Sequence, residues 1–392
     1  MADIPPDALT AATSPVVTLP HEEAKATPAP GVALCLSGGG YRAMLFHLGS
    51  LWRLNEAGWL PKLDRISSVS GGSITAGLLA LKWPLLAFDH HGVSTAFQQQ
   101  VVAPIRTLAG RTIDATAILG GVFGPGRVSD KVIGAYRQWL FGHATLQDLP
   151  DHPRFVFNAT NVQSGVLWRF MKPYMRDYRV GEVKRPRVDL AIAVAASSAF
   201  PPVLSPVTLE LDSADFTPNS GTDLQREPYT TQVVLSDGGV YDNLGLETAW
   251  KRYQTILVSD AGGQLSAEPE PEHDWIRHAV RILALVDHQV RSLRKRQVID
   301  AYKRGLRQGA YWGIRTDITQ YGLRDHLLDS LTNPLDHTLP LADLPTRLAR
   351  VDSLVQERVI NWGYAVCAAA LRAHVDPTMP RPRSFPYPDS IP

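Results

Sequence analysis

Three short stretches carry residues whose types and spacing could do chemistry. The first is Ser68-Val69-Ser70-Gly71-Gly72. It lies between a strand-like run, Leu63 to Val69, and a helix-like run, Ser73 to Leu81. Strand, sharp turn and helix with a serine at the apex is the layout of a nucleophile elbow. Such a turn lifts the hydroxyl clear of the backbone, beside the positive end of a helix. It admits only small residues two positions either side of the serine, here Ser68 and Gly72. The usual pattern is Gly-x-Ser-x-Gly, so Ser68 is a departure, and a glycine-rich structural turn is the competing reading. Ser70 is the candidate nucleophile; Ser67, Ser68 and Ser73 are less well placed.

The second stretch is Ser37-Gly38-Gly39-Gly40-Tyr41-Arg42. A glycine run between strand and helix exposes backbone N–H groups, and the helix dipole adds positive potential. The run reads as an anion nest. An oxyanion hole is one use, and losing a single donor there costs about 3–4 kcal/mol of barrier. A dinucleotide site is another, since Gly38-x-Gly40-x-x-Ala43 fits the loose fingerprint. The acid that fingerprint needs would be Asp64, which falls at the wrong end of the next strand. A tight structural turn is the third reading.

The third stretch is Leu235-Ser236-Asp237-Gly238-Gly239. An aspartate directly after a strand sits at the carboxyl edge of the sheet, where such folds place their sites. Val258-Ser259-Asp260-Ala261-Gly262-Gly263 has the same layout, and spacing alone does not choose between Asp237 and Asp260. For either one, a buried aspartate capping a turn is the alternative. A serine nucleophile normally needs a base. His273, His278, His288, His326 and His337 follow Asp237, but none lies in a small-residue loop at a strand end. His47 falls inside the first helix and reads as packed there. A serine–aspartate dyad is therefore expected, with the carboxylate contacting the serine directly.

The elements around these stretches alternate strand and helix. Gly31 to Leu36 reads as a buried strand, and Met44 to Leu54 as a helix stopped by Gly58 and Pro61. Further strands are expected at Arg154 to Asn158, Val166 to Met171, Val207 to Leu211, Gln232 to Leu235 and Thr255 to Val258. Helices are expected at Leu190 to Ala196, Leu244 to Tyr253, Trp275 to Ala310 and Pro345 to His374. The span from Trp83 to Gly142 reads as mainly helical, broken at Gly120 to Gly126. Asp212 to Thr230 is a long polar loop. The expected fold is α/β, three-layered around a mostly parallel central sheet, with a helical C-terminal extension. The expected units are a disordered tail over 1–28, a catalytic domain over 29–263, and an extension over 264–392 packed on the same core.

Bulk properties exclude several classes. Net charge is +1 over 392 residues, which gives no general pull toward nucleic acid. Cys35 and Cys367 are the two cysteines; they make neither a disulfide framework nor a metal motif, and a reducing cytoplasm suits them. The first residues lack the order of a secretory signal, and no apolar run is long enough to span a bilayer, so any membrane contact is expected to be peripheral. Arg291, Arg294, Lys295 and Arg296, with Lys303, Arg304 and Arg307 beyond, make a basic helix. It reads as a solvated face or as a contact for anionic lipid heads. Ile113 to Phe123 is apolar and reads as core or as a lid over an acyl groove.

Taken in order, Ser37-Gly38-Gly39-Gly40-Tyr41-Arg42, Ser68-Val69-Ser70-Gly71-Gly72 and Asp237-Gly238-Gly239 resemble the patatin-like phospholipases. Ala195-Ala196-Ser197-Ser198-Ala199-Phe200-Pro201 is similar to a further segment of that family. The resemblance covers residues 31–263. It implies Asp237 rather than Asp260 as the base, a Ser70–Asp237 dyad, and an oxyanion loop of Gly38, Gly39, Gly40 and Arg42. It also implies hydrolysis of a phospholipid or other acyl-ester lipid with no metal or cofactor. A Ser-His-Asp esterase on soluble esters and a non-catalytic lipid binder are the alternatives.

Overall fold

The computed structural model describes residues 28–113, 128–271, 273–323 and 334–392. The expected tail over 1–28 (all but its last residue), the lid beyond Ile113, the Gly120 to Gly126 break and His326 lie outside the described residues.

The apolar runs form a sheet whose centre is parallel. Strands β1 (Ala29–Leu36), β2 (Arg65–Ser68), β3 (Arg154–Asn161), β9 (Tyr253–Asp260) and β10 (Gln308–Gly313) lie in the order β10-β9-β1-β2-β3, all four pairings parallel. Beyond β3 the sheet turns antiparallel through β4 (Val166–Phe170), β5 (Tyr174–Asp177) and β6 (Gly181–Lys184). Strand β7 (Val207–Glu210) pairs antiparallel with β8 (Gln232–Asp237).

Alternate residues of each parallel strand face opposite layers, as the period of two requires. Leu34 and Leu36 of β1 and Leu257 of β9 join the larger core, under helices α1 (Gly40–Glu56), α2 (Gly71–Lys82) and the late helix Ser353–His374. Ala33, Cys35, Ile256 and Val258 join the smaller core on the other face, with Leu244, Leu246 and Val298. Both cysteines are buried free thiols. The late helix crosses α1 at backbone contact: a Cβ on Gly49 would meet the Ile360 carbonyl at 1.9 Å, and one on Gly363 the Phe46 carbonyl at 2.0 Å.

Strand β3 does the positioning. Its first half pairs with β2, with Phe157 opposite Ser68. Its second half pairs on the same edge with β8, with Ala159 opposite Asp237. Strand β2 stops at Ser68 and the chain turns away, so β8 enters the vacated edge from the opposite direction. Asp237 therefore arrives two residues beyond Ser68, roughly 7 Å along the edge.

Three expected helices are shorter than their patterns. The segment read as Trp275 to Ala310 is helical only over Trp275–Lys303. Gly305 then takes φ 69°, and the chain reverses to add β10 beside β9, so the C-terminal third is not purely helical. Leu244 to Tyr253 is helical only over Glu247–Trp250, because Gly245 turns at φ 66° against Ser67. Helix starts at Ser353 rather than Pro345. The residues before it spend their carbonyls elsewhere: Arg347 accepts from the Tyr41 N–H (2.9 Å) and Leu348 from Ile113 (2.8 Å). Three of the further helices are α3 (Leu190–Ser197), α4 (Trp275–Lys303) and α5 (Ser353–His374).

Candidate active site

Ser70 has φ 53° and ψ −122°, a left-handed conformation that costs a non-glycine residue of order 1–3 kcal/mol. The surrounding structure over-determines it. The Ser70 N–H donates to the carbonyl of Ser197 (3.1 Å) and to its Oγ (3.1 Å). Ser73 Oγ donates to Ser68 Oγ (2.9 Å) and lies 2.8 Å from Ser197 Oγ. Ser68, in the place of the usual glycine, is fully buried and donates to the Val156 carbonyl of β3 (3.1 Å). Its hydroxyl is thus absorbed by a hydrogen bond, and the strained angle at Ser70 survives.

The turn after α3 that holds Ser70 also holds Asp237. Gly238 N–H donates to the Ser197 carbonyl (3.2 Å), and Asp237 N–H to the Ala199 carbonyl (2.9 Å). Asp237 is 2% exposed and Ser70 5%. Asp237 Oδ1 accepts from Gly239 N–H (2.7 Å). Among the described residues, no hydrogen bond of standard geometry reaches Asp237 Oδ2. Burial drives this carboxyl up to about 7; the Gly239 N–H and the nearby Ser70 hydroxyl pull it back, and Asp287 adds to the rise.

The glycine loop lies against the serine. A Cβ on Gly38 would meet Ser70 Cβ at 3.1 Å and Asn243 Oδ1 at 2.3 Å. The Gly38 N–H is taken by Asn243, through its carbonyl (3.0 Å) and its Oδ1 (3.0 Å). Gly39, at φ 142°, lines the cavity with Gly38. Gly40 does not line it and sits beneath the Arg347 backbone. Arg42 is 3% exposed and clasps the loop to distant segments. It donates to the carbonyls of Ala261 (3.0 Å) and Leu344 and to Thr346 Oγ1 (3.1 Å). Burial and Arg291 lower its pKa to about 10, so it stays cationic at neutral pH.

His47 is buried behind the loop. Its Nε2 lies 2.9 Å from the Ser37 carbonyl, which can only accept, so Nε2 carries the proton. Burial holds the ring neutral, down at about 4, leaving Nδ1 to accept from Ser259 Oγ at 2.8 Å. It anchors Ser37 and does not line the cavity that holds Ser70.

Ser70 and Asp237 open on a cavity of about 250 Å³, at the small end of ligand sites. A larger open hollow of about 730 Å³ lies along the 213–230 loop and shares no lining residue with it. Phe200, from the Ala195 to Pro201 segment, lines the serine's cavity; the motifs do not reveal Asn243, Asp287, His288 or Arg291, which line it too. The last three share one face of α4, at positions i, i+1 and i+4. That spacing was the available signal; nothing in the sequence says which face of a basic helix turns inward. Among the described residues no cluster of metal-binding side chains occurs, and no helix is long and apolar enough to cross a membrane.

A strained serine at a strand–helix turn thus stands beside a buried aspartate and a glycine loop. The sequence model of the patatin-like phospholipase family matches residues 34–250, and the chain belongs to that family. No curated protein matches the chain. Among solved structures it is similar to human GIVD cytosolic phospholipase A2, at 15% identity and a TM-score of 0.39, over 68% of this chain and 49% of that one. It thus spans about half the length of that relative. The same human protein in complex with methyl gamma-linolenyl fluorophosphonate and terbium chloride matches at 19% identity and a TM-score of 0.38, over 64% and 42%. VipD from Legionella pneumophila matches at 15% identity and a TM-score of 0.29, over 80% and 66%.

Proposed function

We propose that the protein hydrolyses acyl esters of lipids, phospholipids among them, through a Ser70–Asp237 dyad. One observation carries the reading. Ser70 stands in a strained turn, while the buried Asp237 keeps one carboxylate oxygen unengaged and a raised affinity for a proton. Asp237 takes the proton as Ser70 Oγ attacks the carbonyl. The Gly39 N–H, backed by the N-terminus of α1, receives the developing oxyanion. Gly38 joins it only when its bond to Asn243 opens, and Gly40 and Arg42 shape the loop. Asp237 returns the proton to the leaving alcohol, and water releases the fatty acid from the acyl-enzyme.

A cavity of about 250 Å³ takes the reacting ester and little more. The rest of the lipid needs an apolar surface at the mouth, and α4 offers one. Trp275, Ile282, Val286 and Leu293 are spaced 7, 4 and 7 apart, which puts them on one stripe of the helix. All four are exposed, Trp275 at 80%. The opposite face carries Asp287, His288 and Arg291 toward the serine. The helix is therefore polar inward and apolar outward, the arrangement of a segment that meets a lipid aggregate peripherally.

A fluorophosphonate probe should label wild type at Ser70 and leave Ser70→Ala unlabelled. Ser70→Ala should lose on the order of 10⁴-fold or more in turnover of a phospholipid panel while keeping its melting temperature. Labelling elsewhere, or turnover in Ser70→Ala, overturns the reading. A triad esterase has one observation in its favour, that His288 lines the same cavity. His288→Ala separates the two: a dyad keeps most of its turnover of p-nitrophenyl butyrate, and a triad loses it.

A further inference from the structure

A second hollow, of about 190 Å³, adjoins the serine's cavity. The two share Gly262, Gln264, His288 and Arg291. Arg291 and Lys295 stand one turn apart on α4 and both line the second hollow. Two like charges at that spacing repel each other unless something negative sits between them. Among the described residues, neither forms an ion pair within 4 Å. Arg291 donates to the Gly263 carbonyl, and the Lys295 ammonium lies 4.7 Å from the centre of the Tyr311 ring.

The carboxylate that faces them is already engaged. Asp260 accepts from Gly262 N–H (2.8 Å) through one oxygen and from the Tyr311 hydroxyl (2.6 Å) through the other. The remaining cation, Arg315, is paired with Asp343. Ser292 and Thr316 add hydroxyls to the wall. The hollow thus sets two cations and several neutral donors against the Asp260 carboxylate, whose oxygens are both taken by neutral donors; Asp287 approaches Arg291 from the serine's side, with burial favouring its protonated form. That inventory suits a compact oxyanion with acceptors on several sides, which a phosphate has and an acyl chain lacks.

We propose that this hollow binds a phosphate group, and that in the reaction it holds the head-group phosphate of the lipid whose acyl ester lies at Ser70. The second half of this rests on the acyl-hydrolase reading above; the first half does not. It predicts preference for phosphoglycerides over neutral glycerides, set from the C-terminal third of the chain.

The test uses Lys295, which lines the second hollow and not the serine's cavity. Lys295→Gln and Lys295→Glu in the full chain are compared with wild type on three substrates: a short-chain phosphatidic acid, the matching diacylglycerol, and p-nitrophenyl butyrate. The phosphatidic acid should lose about tenfold in kcat/KM in Lys295→Gln and more in Lys295→Glu, carried by KM. The other two should stay within about twofold. Equal losses on phosphatidic acid and diacylglycerol, or no loss on either, overturn the head-group role. Inorganic phosphate supplies the independent arm. It should raise the melting temperature of wild type and not of Lys295→Glu, and equal shifts overturn the anion site itself. A phosphate shift specific to wild type with no ester cleaved leaves the site standing as one for free phosphate and removes the hydrolase reading.

Discussion

Strands β8 and β9 end alike in sequence, in Ser236-Asp237-Gly238-Gly239 and Ser259-Asp260-Ala261-Gly262-Gly263, and their aspartates meet opposite fates. Both carboxyls are buried. Asp260 has both oxygens bonded, and Arg291, the Tyr311 hydroxyl, the Gly262 N–H and Lys295 together outweigh burial and lower its pKa. Among the described residues, one backbone donor and the nearby Ser70 hydroxyl favour the ionised form of Asp237 and no cation adds to them, so burial dominates and its pKa rises to about 7. Strand direction accounts for the difference. Strand β9 runs parallel to β1 and β10 and delivers Asp260 among the cations of α4. Strand β8 runs antiparallel to β3 and delivers Asp237 to the serine. The same local motif is satisfied by its neighbours at Asp260 and leaves one carboxylate oxygen open at Asp237, where the proposed mechanism needs it.

The largest expected effect tests that division directly. Asp237→Asn should lower kcat/KM by at least about a hundredfold, the scale of a general base, and should melt like a folded protein. Asp260→Asn should do the reverse: lose about 1.5–3 kcal/mol of stability, since the buried Tyr311 hydroxyl loses its charged acceptor, with the activity of the folded fraction far less affected. Denaturant titration beside initial rates reads both, and a shared phenotype would erase the distinction.

Next comes the pH dependence, where the two acids have opposite signs. The folded-state pKa of Asp237 lies above the unfolded value of about 3.9, so the folded form holds the proton more tightly. Its contribution falls as pH climbs from about 4 to about 7, and Asp237→Asn should be stabilised relative to wild type at pH 8 more than at pH 5. Asp260 is depressed, so its stabilisation is present above about 3.9 and is lost as pH falls through the folded value. Melting curves from pH 4 to 8 should diverge for the two variants. Activity should also rise with pH through a limb near 7, as Asp237 must be ionised to accept the proton. A flat profile between pH 6 and 8 would remove it as the base.

The smallest effect concerns Ser68. Ser68→Gly restores the common elbow residue and removes its bonds to Val156 and Ser73. Stability should drop by about 1 kcal/mol and kcat by less than about threefold. A large loss of rate would mean that the serine network, and not the turn alone, sets the angle at Ser70.

Contiguous features were legible in the sequence. The glycine loop, the elbow and both strand-end aspartates are local, and the parallel strands announce themselves as short apolar runs. Features made through space were not. Ser197 bridges Ser70 and Gly238, the residue after Asp237, and Asn243 occupies the Gly38 N–H, by contacts between residues over 30 positions apart in the chain. Strand β10 was hidden because Gln308 to Gly313 follows a long basic helix closely and has too few branched residues to contradict it. Choosing between Asp237 and Asp260 from residues alone failed for the same reason, since their flanks match and only their neighbours across the sheet differ.

The clasp made by Arg42 bears on modularity. The family match ends at residue 250, yet Arg42 is held by Leu344 and Thr346, and the first turn of α1 by Arg347. Ser70 and Asp237 thus lie inside the matched segment, and part of the frame that holds the glycine loop lies beyond it. A fragment cut to the matched segment would keep Ser70 and Asp237 and lose the alignment, so transplanting the site to a smaller scaffold means carrying the 344–347 strap with it.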